Sequence, residues 1–310
     1  MRARVYKSTG SWYTVKAEDG KFCMARIKGI FKIDGITSTN PVAVGDWVNL
    51  ESEGGDTADG LMITGIDTRN NYINRQSPAN KYQHHIIASN LDQSLLLATL
   101  KDPKTSQGFI DRFLVAGEAY HITSVIVFNK ADIYQKKEMK LFQERKEIYE
   151  AVGYKVLLMS LEKKTGLEEI EEILRNKTTL LSGHSGVGKS SFINVVVPDV
   201  ALKTQDVSGW SGKGLHTTTF AEMYDLPLLK AQVIDTPGIR EFGLVDISKK
   251  ELSHYFPEMR TRLQDCQFNN CMHVNEPGCA IKKALNEGKL SLERYVSYCM
   301  MLDTIEETTY

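Results

Sequence analysis

Nowhere in its 310 residues does this chain run through eighteen consecutive apolar side chains, so no segment reads as a membrane span. Met1 to Gly20 also lack the apolar stretch and small-residue cleavage site of a secretory signal, which leads to the expectation of a cytoplasmic protein. Charge of one sign is missing too. The formal net charge is -1, so global charge gives no argument for nucleic-acid binding. Cysteine is scarce and uneven: Cys23, Cys266, Cys271, Cys279 and Cys299. An odd count with three thiols close together beside a histidine is unlike a disulfide framework and points to a reduced metal site.

What charge there is, is segregated. Arg2 to Lys32 hold eight basic residues against only Glu18 and Asp19, while Asp303, Glu306 and Glu307 make the end acidic. A basic patch of that kind suits phosphates even on a near-neutral protein, and it equally suits a solvated sheet face.

Three textures follow one another. Residues 1–75 read as short strands separated by turns, among them ARVYKSTGSWYTVKA, KFCMARIKGIF, VAVGDWVNL and GLMITGIDTR, with Asp19-Gly20 as a hairpin turn. About five strands fit a small closed barrel of the oligonucleotide-binding type, and another small barrel nearly as well. Residues 76–247 alternate apolar strands (SLLLATL, SVIVFNK, YKVLLMS, TTLLSG, AQVIDTPG) with amphipathic helices such as GFIDRFLVAGEAY and EMKLFQERKEIYEAV. That pattern predicts a mostly parallel sheet covered on both faces. Residues 248–310 turn to Cys/His-rich loops and short helices.

GHSGVGKS matches G-x-x-x-x-G-K-[ST] and follows the strand TTLLS. Its residues are Gly183, His184, Ser185, Gly186, Val187, Gly188, Lys189 and Ser190, with Ser191 continuing into a helix. Glycines let the backbone N–H groups curl around phosphate oxygens, Lys189 can reach the β- and γ-phosphates, and the Ser190 hydroxyl can ligate Mg²⁺. DTPG closes the strand AQVIDTPG; Asp235 belongs in the metal's shell and the Gly238 N–H is placed to sense a γ-phosphate. NKAD ends the strand SVIVF. A carboxylate at Asp132 accepts from both guanine donors, whereas adenine would leave it partly unpaired. Asn129 can support the O6/N7 side or brace the loop, the Lys130 stem can cover the ring, and Ser160 can complete the base pocket.

The order is rotated. In the ordinary arrangement the phosphate loop comes first and N-K-x-D last; here NKAD precedes GHSGVGKS. The same sheet can be built if it is entered at another strand, since circular permutation is tolerated where the old termini lie close together at the surface. On this reading IIASNLDQSLLLATL is the strand that would normally follow the second switch. SGWSGKGLHTTTF then supplies the first switch, with Thr217 or Thr218 offering a hydroxyl to Mg²⁺; Thr218 is the choice taken here. Ile239 stands where many related GTPases carry a water-orienting glutamine, so His216 is the candidate catalytic group beside Lys189.

DCQFNNCMHVNEPGCA gathers Cys266, Cys271, His273 and Cys279, a suitable tetrahedral set for Zn²⁺. With no position left for water and no general base, a single structural ion is expected, adding folding energy to a region with little apolar core. Cys23, Cys299, His84 and His85 read as packed or linker residues.

The motif order with a barrel before and a Cys-Cys-His-Cys segment after resembles the bacterial small-ribosomal-subunit biogenesis GTPase A family over nearly the whole chain. The resemblance implies a multidomain protein: an N-terminal OB-type β-barrel, a circularly permuted α/β P-loop GTPase domain, and a C-terminal, mainly helical zinc-binding domain. It implies GTP hydrolysis coupled to late maturation of the small (30S) subunit, stimulated by that subunit, with binding to its 16S rRNA. The expected protein works as a monomer with no membrane, using guanine nucleotide, Mg²⁺ and one Zn²⁺. By resemblance His216 is the switch histidine that helps catalysis, although Leu215 stands where the family often has arginine. Two other readings fit the residues: a non-ribosomal regulatory GTPase activated by a protein, and a nucleic-acid-binding scaffold with a vestigial nucleotide site.

Overall fold

The computed structural model describes residues 1–27, 41–52, 60–76, 84–197, 221–236 and 247–305. Five strands form the amino-terminal unit: β1 (Arg2–Ser8), β2 (Tyr13–Ala17), β3 (Phe22–Ile27), β4 (Trp47–Ser52) and β5 (Leu61–Ile66). β1 pairs β2, β2 pairs β3, β3 pairs β5 in parallel, β5 pairs β4, and β4 returns to β1, so the sheet closes. Alternation along the strands fills the barrel with Ala3, Val5, Tyr13, Val15, Ala25, Val48, Leu50 and Ile63, all buried. Cys23 lies against this core. Closure in this order is the oligonucleotide-binding barrel expected from the strand count.

A hairpin straddles residue 76. β6 (Tyr72–Gln76) and β7 (His84–Ser89) form a two-stranded sheet, with Ala88 of β7 also bridging Val44, so His84 and His85 sit in a strand, not a linker. The buried Asp46 carboxylate ties hairpin to barrel by accepting from Ser89 Oγ at 2.6 Å and from Arg69 Nε and Nη2, each at 2.6 Å.

The central unit contains β8 (Gln93–Ala98), α1 (Gln107–Ala119), β9 (Thr123–Phe128), α2 (Lys136–Glu150), β10 (Lys155–Leu158), α3 (Leu167–Leu174), β11 (Thr178–Ser182), α4 (Lys189–Val196), β12 (Glu222–Leu226) and β13 (Ala231–Asp235). Its strand order is β10-β9-β8-β11-β13-β12, parallel except for β12. β8 is buried throughout because it lies between β9 and β11. The expected strand IIASNLDQSLLLATL is therefore two elements: its first half joins the hairpin, and only Gln93 onward enters the sheet. Two apolar layers sandwich it. One contains Phe109, Phe113, Phe142 and Tyr149 from α1 and α2, the other Ile170, Ile173, Phe192 and Ile193 from α3 and α4. β12 was not foreseen as a strand. It links the two units, because Glu222 pairs with Lys7 of β1 while Lys16 and Tyr6 bond Asp225 at 2.6 and 2.7 Å.

The carboxy-terminal region carries α5 (Pro257–Arg260), α6 (Ala280–Asn286) and α7 (Leu292–Thr304). It has more apolar core than its sequence led us to expect. Leu252, Phe256, Met259, Ile281, Tyr298 and Met301 form a buried cluster that includes Val115 of α1, and Cys299 packs against it. Arg294, 1 % exposed, pins the region to the sheet domain through Asp111 of α1 at 2.7 Å, and ties α7 to α5 within the region through Glu258 at 2.5 Å. Among the described residues no helix is long and apolar enough to cross a membrane.

Candidate nucleotide site and metal cluster

The phosphate-loop motif lies between β11 and α4, the strand–loop–helix context its glycines require. Gly188 has φ +104°, and a Cβ there would stand 2.5 Å from the Asn129 side-chain nitrogen; only glycine fits. The Lys189 ammonium bonds the Gly183 and His184 carbonyls of its own loop at 2.6 and 2.9 Å. Burial lowers its pKa, with the Asp235 carboxylate opposing that shift. The His184 ring stacks on Phe109 of α1, centroids 3.7 Å apart, and burial followed by the Lys189 charge lowers its pKa.

Asp235 ends β13, next to β11. Burial raises its pKa to about 6, against the pull of the Lys189 charge. Its Oδ1 is buried and has no hydrogen-bond partner among the described residues. An unpaired carboxylate oxygen near a lysine, in a phosphate loop's neighbourhood, suits a divalent cation.

NKAD follows β9, one strand beyond β8. Asn129 is 2 % exposed and braces the loops: its Nδ2 donates to the Val187 carbonyl at 2.8 Å and its Oδ1 accepts from the Leu161 N–H at 3.4 Å. Of the two functions open to it, bracing is the one the geometry displays. Ser160 Oγ donates to Asp132 Oδ1 at 2.5 Å and accepts from the Lys163 N–H at 3.1 Å. Lys130 adopts φ 65° and its ammonium reaches the Asp102 carbonyl at 2.5 Å. Asn129, Lys130, Asp132, Ser160 and the phosphate loop thus form one continuous set of loops at the carboxyl ends of β8, β9, β10 and β11. His216, Thr217, Thr218, Gly238 and Ile239 lie outside the described residues.

Sequence reasoning missed the supports beneath this set. The Tyr134 hydroxyl donates to the Asn129 carbonyl at 2.6 Å and accepts from the Leu100 N–H at 2.9 Å. A tyrosine after NKAD carries no pattern that would reveal this.

The ligand atoms of Cys266, Cys271, His273 and Cys279 all lie within 4.8 Å of one another. His273 Nδ1 stands 3.6 Å from Cys266 Sγ and 3.5 Å from Cys279 Sγ. Tetrahedral bonds of about 2.0–2.3 Å to nitrogen and sulfur give edges of roughly 3.5–3.8 Å, so the donor set fits such a metal. Glu276 holds the connecting loop by accepting from the N–H groups of Met272, Val274 and Asn275, and Tyr295 and Tyr298 donate to the carbonyls of His273 and Met272.

A parallel sheet entered at β8, with the phosphate loop after β11 and N-K-x-D after β9, defines a circularly permuted P-loop GTPase. Comparison with known proteins agrees. The RsgA GTPase family model matches residues 66–245 and the RsgA N-terminal domain model residues 3–59. The small ribosomal subunit biogenesis GTPase RsgA of Christiangramia forsetii is 49% identical over 307 residues, covering 99% of this chain and 97% of the relative. That of Flavobacterium psychrophilum is 51% identical, with 99% and 94% covered. Among solved structures, YjeQ from Thermotoga maritima superposes with TM-score 0.77 at 30% identity over 98% of this chain and 97% of its own. YloQ, described as a circularly permuted GTPase, gives 0.72 at 29%, with 100% and 96% covered. The chain belongs to the RsgA GTPase family.

Proposed function

We propose that this GTPase acts in late maturation of the small ribosomal subunit, binding its 16S rRNA and hydrolysing GTP faster when docked on the particle. The observation that carries the site assignment is the Asn129–Val187 hydrogen bond, which joins the NKAD loop to the phosphate loop. Around it, Asp132 accepts from the two guanine donors and the Lys130 stem covers the base. Backbone N–H groups from Gly183 to Ser191 and the Lys189 ammonium hold the phosphates. Lys189 exchanges its two loop carbonyls for phosphate oxygens, a stronger charge-assisted pairing. Ser190, Asp235 and Thr218 are the residues that would hold Mg²⁺. That ion, when bound, neutralises charge building up on the β- and γ-phosphates. Gly238 senses the γ-phosphate and His216 orients the attacking water, in place of the glutamine that Ile239 cannot imitate.

The Cys266–Cys271–His273–Cys279 set is assigned to one structural Zn²⁺, because four protein donors leave no open coordination position. Residues 1–75, 76–247 and 248–310 serve as barrel, GTPase and metal-binding units of a cytoplasmic monomer. GTP turnover measured with and without purified small subunits tests the reading. Stimulation is expected in the unchanged protein and loss of turnover in Lys189→Ala; an unchanged rate on adding subunits would refute the ribosomal assignment.

A further inference from the structure

We propose that Glu222 is a positioning residue for the divalent cation assigned to Asp235, and that Lys7 of the barrel governs how strongly it acts. The proposal rests on the reading of Asp235 as a Mg²⁺ ligand and adds a second carboxylate and a control drawn from another domain.

Three strands bring the charges into line. Asp235 of β13 stands directly opposite Glu222 of β12, and Glu222 stands directly opposite Lys7 of β1. Directly opposed residues on antiparallel strands project from one face of the sheet, with Cβ atoms about 4.5–5.5 Å apart. The Lys7 ammonium closes on Glu222 Oε2 at 2.8 Å. On the far side of Asp235, the Lys189 ammonium is the cation that acts on its carboxylate. From barrel to phosphate loop the row therefore runs plus, minus, minus, plus.

Two carboxylates in directly opposed positions repel each other. That repulsion is felt at Asp235: burial comes first and Lys189 pulls the other way, but the Glu222 charge adds to the upward push on its pKa. Tyr224, two residues along β12, shows where the Glu222 carboxylate lies. Its phenol is held protonated by burial first and then by the Glu222 and Asp235 charges, and it hydrogen-bonds Glu222. Two adjacent carboxylates gain more from a nearby divalent cation than one does, because the cation also relieves their repulsion. Only Asp235 offers it a buried oxygen with no hydrogen-bond partner among the described residues. Glu222 is one strand further out and already paired, so it acts by its charge and not as a ligand. Lys7 opposes that charge. Loss of Glu222 should loosen the cation, whereas loss of Lys7 should tighten it.

The test uses the full-length protein at about pH 8, where exposed carboxylates are ionised, and at constant ionic strength. Release of a fluorescent GDP is followed over a series of free Mg²⁺ concentrations. Glu222→Gln is expected to raise the Mg²⁺ concentration that half-maximally slows release by about fivefold, and Lys7→Gln to lower it by about threefold. The double variant should match Glu222→Gln, since Lys7 acts through Glu222. Glu222→Asp should keep most of the unchanged chain's response. In EDTA, neither single variant should bind GDP more weakly than the unchanged chain, which separates an effect on the cation from damage to the pocket. Equal weakening with and without EDTA overturns the proposal. So does a shift of the same sign in Glu222→Gln and Lys7→Gln, the result a purely structural ion pair between barrel and sheet would give. Asp235→Asn is the reference and should raise the Mg²⁺ requirement further than Glu222→Gln. If Asp235→Asn raises it and Glu222→Gln does not, the proposal alone falls. If Asp235→Asn leaves it unaltered, the ligand reading falls and takes the proposal with it.

Discussion

Asn129 and Val187, fifty-eight positions apart in the chain, are joined by a 2.8 Å hydrogen bond from side-chain amide to main-chain carbonyl. The bond is buried, so removing its donor leaves the carbonyl unsatisfied at a cost of about 1–3 kcal/mol. Asn129→Ala is therefore expected to weaken GTP and GDP alike, by roughly tenfold or more, because the brace serves both base and phosphates. Titration calorimetry with each nucleotide checks this.

Asp132→Asn should behave differently. An amide accepts from one guanine donor and opposes the other with its own N–H, while xanthine offers an oxygen there. The variant is expected to lose GTP affinity by about a hundredfold and to gain affinity for XTP, measured by competition.

Asp235 gives a dependence on pH. Its folded pKa is raised to about 6 by burial, so the folded state holds a proton that the unfolded chain releases near 4. Stability from this group is present below about 4 and is lost as pH rises through about 6, an effect of up to about 3 kcal/mol. Denaturant unfolding of the nucleotide-free protein at a series of pH values should show this decline, and Asp235→Asn should flatten it while suppressing turnover.

Arg294 supplies a larger stability effect. Arg294→Met leaves Asp111 and Glu258 buried without their cation, which is expected to cost about 3–5 kcal/mol. Amide exchange should report loss of protection in α7 ahead of the sheet strands. Replacing Asp111, Glu258 and Arg294 together with apolar residues should recover most of the loss.

Removal of the metal should have a local effect. Chelation is expected to release one Zn²⁺ per chain and to loosen residues 266–279, while α7 keeps its protection on the cluster around Phe256, Tyr298 and Met301. Mass spectrometry and amide exchange on the same sample measure both.

Legibility in the sequence followed the range of each interaction. The phosphate loop, NKAD and DTPG were readable because each motif's chemistry is contained in a few consecutive residues beside a buried strand. The barrel's short strands were readable from their β-branched and aromatic residues and the turns between them, but its closure depends on β3 meeting β5 and β4 meeting β1 across distant segments. The β6–β7 hairpin was missed because YINRQ and HHIIAS are short and half polar, and each becomes a strand only against the other. Arg294 looked like any helical arginine, because its partners Asp111 and Glu258 lie far off in the chain. The apolar core of the last sixty residues was masked by their many charged and turn residues.

The antiparallel β12 is the last strand of the GTPase sheet, and the barrel's β1 meets it there. A strand in that position otherwise offers bare N–H and C=O groups to any neighbouring chain. The barrel is thus also a guard against self-assembly: shorn of it, the chain would keep the loops around Asn129 and Lys189 and yet acquire an adhesive rim.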